Sequence, residues 1–473
     1  MHTPFSGPTP QSSVHAEIRI GYLWTIAFVA ALGGLLFGYD WVVIGGAKPF
    51  YEVYFHLTSE ASIGWANSCA LLGCFVGSLI AGPAADQLGR KKLLIVSALL
   101  FAASSVLTGW AHAFSAFILW RVVGGVAIGL ASNVSPMYIA EISPAEWRGR
   151  LVSLNQLAIV IGILAAQLAN WRIAETIPAD LHGIVLWSSW NAQYGWRWMF
   201  TAVAVPAMLF LCSAPFIPES PRWLAAQEEF GSALEVLRKI GGEHYAHSEA
   251  ASIQKSLSSP HERAGWRELL ASPGRKLLAI GAALAVLQQW SGINVLFNYA
   301  QEVYRNAGYG LSEILFNIVI TGAINLVFTV VAMLLVDRFG RRRLMIFGCV
   351  AIGVSHFAAG LAYHAHLHGI WVLVLTLCAI ASYAMSLAPV TWVLITEIFP
   401  NRMRASAVSI TVACLWIASF VLTYTFPALN HSLGTSGAFF IYAAICFAGA
   451  AFVWLAVGET RGRSLEMLEG AAG

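Results

Sequence analysis

The chain has 473 residues, 58% of them hydrophobic and 11% charged, with a mean hydropathy of +0.69. A soluble globular domain carries about 25% charged residues, so this composition excludes one and indicates a chain that crosses a bilayer many times. The net charge of +3 is a matter of where the cations sit along the chain and points to no nucleic-acid partner.

Residues 1–21 are polar and hold no apolar core ahead of the first span, so they are expected to form a cytoplasmic tail, not a cleaved signal. Apolar stretches of the ~20 residues that span ~30 Å of hydrocarbon as helix then recur. They lie near residues 22–44, 61–83, 93–111, 113–139, 151–171 and 198–217, and again near 277–300, 314–336, 344–363, 370–395, 405–427 and 438–457. They are long and rich in Gly and Ala, unlike the short alternating strands of a barrel, which predicts an all-α membrane protein with twelve transmembrane helices. Of the 27 Lys and Arg residues, only Lys48, Arg172, Arg197 and Arg305 fall in predicted outer loops and Arg121 within a span. The rest lie on the other side, which makes both termini cytoplasmic.

The first span contains LLFGYDWVVIGG, a run of membrane-grade residues with Asp40 in its middle. The fourth contains the other formally charged group of the predicted spans, Arg121. At ~1.5 Å per residue, Asp40 is ~9 Å and Arg121 ~10 Å below the outer ends of their helices. Equal depth and opposite sign predict a pair across the interior of the first half, since each makes the other tolerable in hydrocarbon. Such a pair either orients two helices permanently or trades a proton as the protein changes state, and an intramembrane carboxylate favours the second reading.

The loop after span two reads DQLGRKKLLI from Asp86, and the loop after span eight reads DRFGRRRLMI from Asp337, 251 residues later. Glu141, Pro144 and Arg148 return as Glu397, Pro400 and Arg404, each offset by 256, and Glu219 in PESPR is echoed by Glu459 in GETRG. These echoes predict two duplicated six-helix bundles, 22–217 and 276–457, with a tail at 458–473. The Asp-Gly-Arg loops, with Arg90 and Arg341, are suited to pin neighbouring helices at the cytoplasmic face. Between the bundles, 218–275 is polar, with Trp223, Phe230, Leu234, Leu237 and Ile240 roughly on one helical face, so cytoplasmic amphipathic helices are expected there.

Span seven carries QQWSGINVLFNYA, with Gln288, Gln289, Asn294, Asn298 and Tyr299 in an otherwise apolar helix. Gln289 and Asn294 are five apart and face one cavity only if the helix breaks at Ser291-Gly292. Gln156 on span five, Asn325 on span eight and Trp392 just after Pro389 on span ten extend the set. Amides that donate and accept match vicinal hydroxyls, and an indole packs on the apolar face of a pyranose, so a neutral sugar or polyol is the expected ligand. His364, His366 and His368 alternate in an outer loop without carboxylate or cysteine partners, a poor metal cage. His356, inside span nine, is expected to be hydrogen-bonded structure. No cofactor, metal or catalytic constellation is indicated, and no obligate protein partner.

Taken in order, GGLLFGYD, DQLGRKK, RVVGGVAIG, PMYIAEISPAEWRGRL, PESPRWL, QQWSGIN, DRFGRRR, TEIFPNRMR and GETRGRS resemble the sugar porter family of the major facilitator superfamily over roughly residues 22–465. The resemblance implies two six-helix bundles with cytoplasmic helices between them, a sugar site at Gln156, Gln288, Gln289, Asn294, Asn325 and Trp392 with Phe37 beside the acid, and proton coupling through Asp40 and Arg121. It also implies a cytoplasmic charge network of Glu141, Arg148, Glu397 and Arg404 with Arg90 and Arg341 that locks the outward-facing state. Bacterial proton-coupled xylose, arabinose, galactose or glucose carriers are nearest in pattern, in the inner membrane. The chain departs from the xylose type at Ile163 and at Leu415 beside Trp416, where glutamines are usual, and at Asn298 and Gly458. These departures imply a more apolar pocket, compatible with a hexose. An uncoupled facilitator and a sugar sensor on a transporter fold are the competing readings.

Overall fold

The structure is a computed structural model that describes residues 18–176, 184–258, 274–367, 369–399 and 403–458, with the backbone alone at Ile184, Val185, Ser258, Val336, Asp337, Arg338, Arg404 and Ala405. Pro400, Glu459 and His368 lie outside the described residues. The first half runs through Ile20–Tyr54, Glu60–Leu88, Arg90–Gly109, Phe114–Ile142, Ala145–Ile173 and Asn191–Phe216. The second runs through Gly274–Asn298, Leu311–Phe339, Arg341–His364, Ile370–Glu397 and Arg404–Ala456. The last of these is two spans: the backbone leaves helix at Gly434, φ 69° and ψ 171°, which makes twelve spans among the described residues.

Lipid tails do not drive helices together, so small residues that let backbones touch decide the packing. Spans two and four show this with two facing Gly-x-x-x-Gly pairs, Gly73/Gly77 and Gly125/Gly129. A Cβ on Gly73 would stand 2.1 Å from the Val122 carbonyl oxygen, and one on Gly125 would stand 1.9 Å from that of Ala70. Spans one and five meet in the same way: a Cβ on Gly38 would lie 1.9 Å from the Ile159 oxygen and one on Gly162 2.0 Å from that of Leu35. The first half is thereby a close-packed frame around span one.

Span one is longer than its apolar run suggests. It continues to Tyr54, so Lys48, expected in an outer loop, is inside the helix and 1% exposed. Arg197, expected in another loop, is 3% exposed and donates to the Gly109 and Ala111 carbonyls at 3.0 and 2.9 Å, satisfying the end of span three.

Between the halves, Ser220 caps a short helix, Pro221–Ala226, and a second helix runs Phe230–Ser258 with a break at Gly241-Gly242. The second buries Ala233, Val236, Leu237 and Ile240, whereas Phe230 is 46% exposed, so the buried face is rotated from the one expected. The Arg19 N–H donates to the Ile240 carbonyl, tying this helix to the start of span one.

The end of the molecule bearing the 86–92 loop and these helices is the basic end, the other the far end. Among the described residues, ring contacts between the halves lie at mid-depth and toward the far end. Phe37 meets Trp416 and Trp41 meets Phe297, with ring centroids 5.9 and 5.7 Å apart. Trp65 meets Phe420, Trp171 meets Phe316, and Gln167 Nε2 donates to Thr321 Oγ1 at 3.4 Å. A Cβ at Gly45 would stand 2.3 Å from the Phe297 oxygen, so spans one and seven touch backbone to backbone there.

Candidate functional site

Asp40 and Arg121 meet. Arg121 Nη1 donates to Asp40 Oδ1 at 3.0 Å and reaches the Asp40 carbonyl oxygen at 3.4 Å. Their exposures are 4% and 3%, and the guanidinium stands 5.4 Å from the Phe200 ring centroid. Charges this deep persist only when matched. Among the described residues, Asp40 Oδ2 and Arg121 Nε have no hydrogen-bond partner. The space beside Oδ2 exists because residue 124 is glycine: a Cβ there would lie 3.3 Å from Oδ2 and 3.2 Å from Ser104 Oγ. One carboxylate oxygen is committed to the arginine and the other is free of partners.

The opposing half supplies neutral groups from a helix that does break. Span seven is helical over Gly274–Trp290, turns at Gly292 with φ 85°, and resumes over Ile293–Asn298 and Ala300–Asn306. Glycine is required at 292 both for its left-handed backbone and because a Cβ would fall 2.7 Å from the Tyr442 ring. The break brings Gln289 and Asn294 to one side, as their spacing demands, with Asn294 Nδ2 donating to Gln289 Oε1 at 2.5 Å. Gln289 Nε2 in turn donates to Gln288 Oε1 at 3.2 Å, and Gln288 Nε2 reaches the Leu387 carbonyl at 3.3 Å. Asn294 also reaches Ser419 Oγ at 3.5 Å.

Two buried polar atoms of the expected set have no partner, Trp416 Nε1 and Asn298 Oδ1. Trp416 is beside Phe37, which stands three residues before Asp40 on span one. Asn325 is buried on span eight, and Gln156 and Trp392 are half-buried on spans five and ten. Among the described residues, no hydrogen bond joins these three to the amide chain.

At the basic end, the described ion pairs lie within a half. Arg90 grips Glu141 with two nitrogens at 3.0 Å each and approaches Asp86 Oδ1 at 3.3 Å. Glu219 accepts from the backbone N–H groups of Arg90 and Lys91 at 2.9 and 3.1 Å, a carboxylate at the positive start of span three. Ser220 Oγ donates to Glu141 at 2.5 Å. In the second half, Arg341 lies 3.6 Å from Glu397. Arg148 is exposed and donates to the Ser143 carbonyl at 3.4 Å. The Asp337 and Arg404 side chains lie outside what is described.

Two features escaped the sequence reading, the span-ten break and a second charge cluster, while a third, the His356 bond, gives an expected group its partner. Span ten breaks at Ser386, φ −130° and ψ −83°, between Ile370–Met385 and Leu387–Glu397; Pro389 nearby was the only hint. His356, expected to be hydrogen-bonded structure, donates Nε2–H to the Ser291 carbonyl at 2.9 Å, the group that the span-seven break sets free. A second buried charge cluster, Lys48 with Glu52 and Glu302, joins the halves toward the far end. The i, i+4 spacing of Lys48 and Glu52 was readable, but no local signal points to Glu302.

A family model described as "Sugar (and other) transporter" matches residues 26–471. The D-xylose-proton symporter of Escherichia coli (strain K12) is 36% identical, over 96% of this chain and 97% of that protein. The glucose transport protein of Synechocystis sp. (strain ATCC 27184 / PCC 6803 / Kazusa) is 38% identical, over 98% of this chain and all of the other. The partially occluded inward-open structure of the xylose transporter XylE from E. coli superposes with a TM-score of 0.83 at 35% identity, covering 94% of this chain and 100% of that one. With nearly its whole length matched, and with twelve spans, a buried ion pair and an amide-lined break in place, the chain belongs to the sugar transporter family and is a membrane transporter of the major facilitator fold.

Proposed function

We propose that this protein imports a neutral monosaccharide together with a proton across a bacterial inner membrane, by alternating access, with both termini in the cytoplasm. The sugar is an aldose, a hexose such as glucose or galactose or a pentose such as xylose. The observation that carries the reading is the split role of the Asp40 carboxylate: Oδ1 holds Arg121 while Oδ2, buried and unpartnered, is the atom a proton would occupy. Protonation there weakens the hold on Arg121, and Phe37 and Trp41 on the same helix transmit the change to Trp416 and Phe297 of the other half.

On this reading Gln156, Gln288, Gln289, Asn294, Asn298, Asn325, Trp392 and Trp416 bind the sugar hydroxyls and ring face. The network of Asp86, Arg90, Glu141, Arg148, Glu219, Asp337, Arg341, Glu397 and Arg404 gates the cytoplasmic side. The contacts between the halves toward the far end support assignment of this structure to the state open to the cytoplasm. One proton crossing 100 mV releases about 2.3 kcal/mol, enough for roughly 50-fold accumulation of a neutral solute.

Proteoliposomes with an imposed pH gradient test the proposal, using labelled glucose, galactose and xylose in competition. Accumulation that follows the gradient is expected. Sugar equilibration indifferent to the gradient would make the protein a facilitator, and sugar-dependent partner binding without flux would make it a sensor.

A further inference from the structure

Lys48 is a lysine with 1% exposure inside a membrane-spanning helix, a placement that costs several kcal/mol unless every charge is matched. Its ammonium group contacts two carboxylates. Glu52, one turn along the same helix, is 2.9 Å away, and Glu302, 254 residues distant on span seven, is its partner from the other half. The Tyr299 ring lies 5.2 Å from Nζ and covers it. Glu52 and Glu302 side chains are 16% and 27% exposed, so the cluster sits at the edge of water with the lysine turned inward.

We propose that Lys48 and Glu302 form the latch of the outer gate. The latch ties the helix that bears Asp40 to the broken helix that bears Gln289 and Asn294, and it opens whenever the sugar site turns outward. This rests on the alternating-access reading of the protein.

The arrangement has two satisfied states. With the halves together, the lysine is shared between Glu52 and Glu302, and the Coulomb attraction acts with water excluded, where it is strongest. With the halves apart, Glu52 keeps the lysine paired within its own helix and Glu302 is hydrated. No charge is left buried and alone in either state, so the gate can move. A static structural pair needs only one acid, whereas two acids on opposite sides of the seam suit a cation that changes partners. Around the cluster, the described seam holds ring contacts, the 3.4 Å Gln167–Thr321 hydrogen bond, a 3.6 Å approach of His431 to Glu60, and close backbone approaches of Gly45 to Phe297 and of Gly64 to Tyr424.

The test reads gate opening directly. Gln167→Cys places a thiol at a site that is 1% exposed on the seam between spans five and eight. Labelling by a membrane-impermeant maleimide from the outer face of right-side-out vesicles is compared with the protein carrying only its seven native cysteines, all within spans. Lys48→Met and Glu302→Gln should each raise the labelling rate of Cys at 167 by about tenfold. The exchange Lys48→Glu with Glu302→Lys, which keeps one cation among two acids, should return it to the parent rate. Unchanged labelling in both single variants overturns the latch. A rise that the exchange fails to reverse also overturns it, as general loosening, which a lowered melting temperature of the detergent-purified protein would register. Because labelling needs neither sugar nor gradient, a protein that labels as expected but accumulates no sugar would sink the transport proposal and leave the latch standing.

Discussion

Spans one and seven hold the same place in the two halves and are built in opposite ways. Span one is a single helix, Ile20–Tyr54, that runs without a break past a buried aspartate, while span seven is divided at Gly292 and again at Tyr299. The same contrast separates span four, helical over Phe114–Ile142 even through Pro136, from span ten, broken at Ser386. The charged half is rigid because an ion pair in low dielectric tolerates little misplacement, and its backbones are locked by glycines against carbonyls. The amide half uses its breaks. The Ser291 carbonyl at the span-seven break receives His356, while Gln288 reaches the Leu387 carbonyl just past the span-ten break and holds Gln289, which in turn accepts from Asn294. Charge handling and hydroxyl recognition thus fall to two scaffolds of different stiffness, joined at Phe37–Trp416 and at the Lys48 cluster.

The comparison breaks outright if the first half does not handle charge. Asp40→Asn keeps the shape and removes the titrating oxygen, so concentrative uptake should vanish, a loss of roughly 50-fold accumulation at 100 mV, while counterflow of preloaded sugar survives. Accumulation equal to wild type in proteoliposomes would reduce Asp40 and Arg121 to a structural pair. Next in size is the break itself. Gly292→Ala adds a Cβ 2.7 Å from Tyr442 at a φ of 85°, which should cost about 1–3 kcal/mol, lower the melting temperature and weaken sugar binding about tenfold or more. Gly82→Ala, on span two with nothing within 4 Å of the new atom, is the control that should leave both readings unchanged.

Legibility differed between the halves for physical reasons. Each span needs its own ~20 apolar residues, so hydropathy reveals it without knowledge of any neighbour. The pairing of Asp40 with Arg121 was legible from depth and sign, and the Ser291-Gly292 break from two amides five residues apart that could not otherwise face together. The Ser386 break was not, since Met385, Ser386 and Leu387 carry no glycine and Pro389 by itself is tolerated in a membrane helix. Lys48 was misplaced because Lys-Pro after a glycine pair looks like the end of a span, whereas Phe50 and Tyr51 beyond it are fully buried and carry the helix on. Glu302 pairs with it across 254 residues, a distance no local pattern spans.

A smaller effect sharpens the account of the amide half. Asn294→Ala removes the donor to Gln289 Oε1 and one candidate sugar contact, so sugar affinity should fall by up to about tenfold, with stability changed little, in equilibrium binding to the purified protein. A fall in melting temperature without a change in affinity would make the Gln288–Gln289–Asn294 chain a brace between spans seven and ten.

The smallest effect separates the two things one side chain can do. Trp416 is 3% exposed, its ring meets Phe37 at 5.9 Å, and its Nε1–H has no partner among the described residues. A buried N–H without an acceptor costs about 1–3 kcal/mol, a cost that a sugar hydroxyl would remove on binding. Trp416→Phe keeps an aromatic face toward Phe37 and deletes only the donor, so affinity should weaken by about fivefold, near 1 kcal/mol. Trp416→Ala removes the face as well and should weaken it further, by the ~0.5–1.5 kcal/mol of an aromatic contact. If the phenylalanine variant binds as tightly as wild type while the alanine variant does not, Trp416 serves as a plate and not a donor. Its connection to Asp40 through Phe37 then becomes the more important of its two contacts, and proton-driven uptake, not equilibrium affinity, is where its loss should register.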